Sequence, residues 1–80
     1  MVGRPASAST LERRALAALR KSSSFSELRD LYIEQDGSRL AISGRVSSFY
    51  HKQLAQELVG AIIDDEQVEL VNLATVDYPV

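Results

Sequence analysis

Cysteine is absent from the chain, which excludes disulfides, thiolate chemistry and cysteine-ligated zinc. The redox compartment stays open, because a thiol-free protein suits either side of a membrane. Histidine occurs once, at His51, so no multi-histidine metal cluster can form within one chain. No apolar run approaches the ~20 residues of a membrane span, so no transmembrane segment is expected. The first nine residues, Met1 to Ser9, lack the apolar stretch of a secretory signal. Val2 stands where myristoylation needs glycine. As written, the chain reads as cytoplasmic. Its 80 residues allow one domain and a core that is marginal on burial alone, too small for a catalytic cleft.

Net charge is −2, but unevenly spread. Residues 1–21 sum to +4 and residues 22–80 to −6. A basic start on an acidic body can dock on an anionic surface or on a second copy, although a solvated helix face explains the same charges. We expect a disordered tail over 1–10 and a domain over 11–78.

Ser9 or Thr10 caps a first helix from about Leu11 to Lys21. Leu11, Ala15, Leu16, Ala18 and Leu19 share one side at 100° per residue, with Arg13, Arg14, Arg20 and Lys21 opposite. Ser22-Ser23-Ser24 ends it, and Phe25 and Leu28 fall in a connection that plugs the core. Leu31 to Gln35 and Arg39 to Ser43 both alternate, and Asp36-Gly37 between them is a type I′ turn pair. A two-residue loop there sets Ile33 opposite Leu40, Leu31 opposite Ile42, Glu34 opposite Arg39 and Tyr32 opposite Ala41. The second strand continues to Val46, and Gly44 points inward without a side chain, which predicts close approach of another backbone or a bulge.

Ser47 or Ser48 caps a second helix over about 49–64, with an apolar arc of Tyr50, Leu54, Ala55, Leu58, Val59, Ala61 and Ile62; Gly60 falls on the polar side. Residues 64–67 form an acidic loop, and Val68 to Val76 read as one third strand. Leu70, Asn72, Ala74 and Val76 share one face of it, and Val71, Leu73 and Thr75 the other. The expected fold is α+β: a two-layer α-β-β-α-β domain with two helices on one face of a three-stranded mixed sheet, whose last two strands are parallel across the helical crossover.

Leu40-Ala41-Ile42-Ser43-Gly44-Arg45-Val46-Ser47-Ser48 resembles the apolar-x-Leu-x-Gly-x-Val-x-Ser strand of the BON family, a module of bacterial osmotic-shock and nodulation-related envelope proteins. Asp36-Gly37 before it and Lys52-x-x-Ala55 after it also fit, and the likeness covers residues 11–76. Glu66-Gln67 stand where the family has Gly-Val before its last strand. The resemblance implies a non-enzymatic domain without cofactor that attaches proteins to phospholipid or binds other ligands, often in the periplasm or envelope.

The candidate contacts for an anionic phospholipid surface or a partner protein are Arg13, Arg14, Arg20, Lys21, Phe49, Tyr50 and Lys52. Phe49 beside Lys52 is an aromatic next to a cation, the pairing that inserts at a headgroup boundary; folding back on Phe25 or the sheet edge is the alternative. Asp36, Gly37, Gly44 and Ser48 are structural. An exposed sheet edge makes protein interaction or self-assembly into a homo-oligomer the second reading. Nucleic acid is disfavoured by the negative charge and the missing Gly-x-x-Gly loop. No catalytic set is expected, His51 reading as a packing residue with its polar edge in water. Nor is a metal site expected, since Asp64, Asp65 and Glu66 lack EF-hand spacing.

Overall fold

A computed structural model describes residues 10–64 and 66–77. The expected cap Ser9, the tail before it, Asp65 in the acidic loop and the last three residues lie outside them. The elements are α1 (Thr10–Lys21), α2 (Phe25–Leu28), β1 (Leu31–Asp36), β2 (Arg39–Val46), α3 (Phe49–Ile62), β3 (Glu69–Asn72) and β4 (Thr75–Val76). The fold is the expected small α+β domain, with helices packed on a mixed sheet. Strand β2 is central, antiparallel to β1 and parallel to both β3 and β4. The connection holding Phe25 and Leu28 is itself a short helix, and Leu28 plugs the core at 1% exposure.

The core lies between the sheet and the helices. Leu11, Ala15 and Leu19 of α1 meet Leu31, Leu40, Ile42 and Val46 of the hairpin and Ala55, Val59 and Ile63 from α3 and its cap. Leu19, Leu28, Leu40, Ile42 and Val59 are fully buried, each stabilising by about 1.5–3 kcal/mol relative to exposure. Gly60 faces the sheet rather than solvent, with space for a Cβ ending 3.9 Å from Leu70. A side chain there would make ordinary van der Waals contact, so the structure does not require a glycine at this position.

The hairpin register differs from the expected one by two residues. Ile33 pairs with Ile42, Leu31 with Gly44, Glu34 with Ala41, Tyr32 with Ser43 and Asp36 with Arg39. The two-residue loop is Gly37-Ser38, so Asp36 ends β1 instead of entering the turn. Gly37 has φ +62 and no non-glycine residue described has positive φ, so the glycine takes the first loop position, as in a type II′ turn. Because the shift is even, Leu31, Ile33, Leu40 and Ile42 still share the inner face.

Gly44 explains why this register wins. Its φ is +107, and a Cβ built on it would overlap the carbonyl oxygen of Asp30 and stand 3.1 Å from Leu31 Cα. The backbone entering β1 passes directly against Gly44, and Arg45 N–H donates to that carbonyl at 3.4 Å. Only glycine opposite Leu31 permits this crossing.

The third strand is not continuous. Its two pieces pair with β2 in one register, Ile42 with Asn72 and then Arg45 with Thr75. The break at Leu73-Ala74 therefore falls beside Ser43-Gly44, where β2 departs from strand geometry.

Gly44→Ala is expected to cost more than about 3 kcal/mol, combining a disallowed φ with backbone overlap. Gly37→Ala, with open space around it, should cost about 1–2 kcal/mol. Urea denaturation of the two variants checks this order.

Candidate functional site

The molecule has two chemically distinct ends. At the hairpin end, Arg14 of α1 donates to the Ile62 carbonyl at 3.3 Å and lies 3.6 Å from Glu66. Glu12 accepts from Gln35 N–H at the end of β1. These contacts make α1 antiparallel to both β1 and α3. The opposite end therefore gathers the last turn of α1, helix α2 and the first turn of α3, where Ser47 Oγ donates to Glu27 at 3.3 Å.

This topology separates the predicted contact residues. Arg20 and Lys21 are exposed in the last turn of α1 and share an end of the molecule with Phe49 and Tyr50. Phe49 and Tyr50 are 64% and 65% exposed. Tyr50 thus lies outside the core, unlike the apolar arc assigned to it. Arg13 is exposed farther back on α1. Arg13, Arg20 and Lys21 form no ion pair among the described residues. Arg14 does not belong with them, since its guanidinium is held at the hairpin end. Lys52 is partly buried and contributes its carbonyl to an internal bond.

Local capping builds the α3 turn. Ser48, the expected cap, accepts from His51 N–H at 3.2 Å. Its hydroxyl also lies 2.8 Å from His51 Nδ1, and the histidine ring meets Tyr50 edge-on at 5.1 Å between centroids. His51 is thus spent on holding the turn that presents Phe49 and Tyr50.

Asn72 holds the other side of α3. Its Nδ2 donates to the Lys52 carbonyl at 3.0 Å and to Gln56 at 3.3 Å, while its Oδ1 accepts from Ala74 N–H at 3.2 Å. One amide ties α3 to the break between β3 and β4 and satisfies an N–H beside the interruption. Alternation placed Asn72 inward without revealing this role; a lone amide among apolar inward residues was the available signal.

The outer face of the sheet is open and holds residues the sequence reading did not single out. Tyr32 pairs with Ser43, and Leu73 lies beside Ser43 as the neighbour of Asn72; Tyr32 and Leu73 are 66% and 61% exposed. An open depression on this face is lined by Asp30, Tyr32, Gly44, Arg45, Thr75 and Asp77, with Arg45 paired to Asp77 at 3.1 Å. Arg39, expected opposite Glu34, instead lies 3.9 Å from Glu69. Such exposed pairs add little stability.

Among the described residues no polar or charged side chain is buried and no three His, Asp or Glu groups converge as metal ligands. No helix among them is long and apolar enough to cross a membrane. No protein-family model matches the chain, and no curated protein matches it.

Asn72→Ala is expected to cost about 1–3 kcal/mol, since it leaves the Ala74 N–H unsatisfied, and to speed hydrogen exchange of the Ala74 amide. Ser48→Ala should cost about 1 kcal/mol without changing Ala74 exchange. Denaturation followed by exchange NMR separates the two.

Proposed function

We propose that the chain is a non-enzymatic docking domain of the BON type that attaches to anionic phospholipid surfaces. The observation that carries this reading is one end of the fold. There Phe49 and Tyr50 are each about two-thirds exposed, at the same end as Arg20 and Lys21, which have no ion partner among the described residues. Amphipathic aromatic rings sit at the headgroup level, and cations beside them are drawn to anionic lipid. The Ser48 cap and the His51 ring fix the turn that presents the rings, which lowers the ordering cost of inserting them.

Each cation near an anionic surface contributes about 1 kcal/mol. One copy therefore binds weakly, and firm attachment needs several copies or a host protein that supplies a second contact. The domain then acts as an adhesive module, with its sheet face and hairpin end turned away from the lipid.

Flotation with phosphatidylcholine vesicles, with and without phosphatidylglycerol, tests this. Binding is expected only with phosphatidylglycerol and is expected to weaken with salt. Arg20→Glu with Lys21→Glu should lower affinity at least thirtyfold, corresponding to the loss of about 2 kcal/mol. Phe49→Ser with Tyr50→Ser should weaken binding to the same vesicles even at low salt. Equal partition onto neutral vesicles, or none onto either, contradicts the reading.

A further inference from the structure

We infer that the uncovered outer face of the sheet is a docking trough for a basic amphipathic helix of a partner protein. Alternation along the strands lays the trough out. Leu40 and Ile42 of β2 are buried on the inner face, so Ala41 and Ser43 point outward. Tyr32 and Glu34 of β1 lie opposite Ser43 and Ala41, and Val71 of β3 lies on the other side of Ala41. Leu73 stands beside Ser43, its N–H bonded to the Ile42 carbonyl. The central strand thus carries two small side chains and the flanking strands carry large ones. Ala41 and Ser43 form the floor, exposed Tyr32 one wall, and Val71 with exposed Leu73 the other. Neighbouring strands are about 4.8 Å apart, so the three strands span about 10 Å, the width that one helix covers. A sheet face of this kind is covered by packing a helix on it, as α1 and α3 cover the inner face.

The charges around the trough define the occupant. Asp30, Glu34, Asp36, Glu69 and Asp77 stand on this face or at its ends, with Arg39 and Arg45 against them, a net −3. Both arginines are already paired, Arg39 with Glu69 and Arg45 with Asp77. Glu12 and Arg13 of α1 reach the β1 flank beside Glu34 and offset each other. Asp30, Glu34 and Asp36 are exposed along β1 and form no ion pair among the described residues. Such a face repels anionic lipid and nucleic acid. Two copies meeting face to face would set carboxylates against carboxylates. A second copy docking through α1 lacks the apolar bulk, because Leu16 is partly buried against its own sheet and Ala17 is small. The fitting occupant is a helix with large aliphatic residues three and four apart for the trough and lysine or arginine on either flank. Asp30 and Glu34 are about 13 Å apart along β1, so cations two helical turns apart, about 11 Å, reach both.

The test is NMR titration of the wild-type chain with the peptide Lys-Leu-Gln-Ala-Leu-Lys-Ala-Lys-Leu-Gln-Ala-Leu-Lys and with the same peptide bearing glutamate for every lysine. The lysine peptide should shift the amide resonances of Tyr32, Ala41, Ser43, Val71 and Leu73 and bind at least about tenfold more tightly than the glutamate peptide. Leu73→Ser, a change at an exposed wall, should weaken the lysine peptide about tenfold. Glu34→Lys should weaken it about fivefold and flatten its salt dependence. Phe49→Ser with Tyr50→Ser should leave peptide binding unaffected, so loss of vesicle binding and loss of helix docking are told apart. The inference is overturned if neither peptide perturbs the outer face, if both bind equally, or if the shifts fall on other faces. The same amides shifting with phosphatidylglycerol vesicles, or with raised protein concentration in the absence of peptide, would also overturn it, since the occupant would then be lipid or a second copy.

Discussion

The close passage of the Asp30 carbonyl over Gly44 is the constraint on which the rest of the architecture depends. It fixes where β1 begins relative to β2, and the two-residue loop at Gly37-Ser38 fixes where it ends. Between them the register has no freedom to slip. The same crossing bends β2 away from regular geometry, and the third strand breaks beside it, at Leu73-Ala74. Asn72 then supplies the hydrogen bond that the interrupted ladder does not. A single backbone contact thus links hairpin register, strand interruption and the anchoring of α3 through Lys52 and Gln56.

Function follows from what this frame leaves uncovered. The helices bury one sheet face and leave the other in water. The antiparallel run of α1 against α3 divides the surface charge. Arg14, Glu66 and Glu12 are engaged with one another's elements at the hairpin end, while Arg20 and Lys21 share the far end with Phe49 and Tyr50.

Much of the fold was legible because alternation and helical periodicity report burial directly. The hairpin faces, the α1 stripe of Leu11, Ala15 and Leu19 and the inward glycine at 44 all follow from it. The register was not legible, because Asp36-Gly37 and Gly37-Ser38 both offer a two-residue loop with glycine in an allowed place. Local turn chemistry could not choose; the contact at Asp30, distant in sequence, did. The break in the third strand was hidden for the same reason, since Val68 to Val76 contains no breaker. Of the candidate contacts, the free cations and Phe49 were readable from composition and the helical wheel. The capture of Arg14 by Ile62 and Glu66 and the exposure of Tyr50 depend on where α3 begins and ends relative to the sheet, which periodicity alone does not state.

Amide hydrogen exchange along β1 tests the register most directly. The structure requires Tyr32 and Glu34 amides to be protected by β2 and the Ile33 amide, which points to the open edge, to exchange quickly. A loop at Asp36-Gly37 would reverse this alternation. Slow exchange at Ile33 with fast exchange at Tyr32 and Glu34 would contradict the register, and with it the crossing at Gly44.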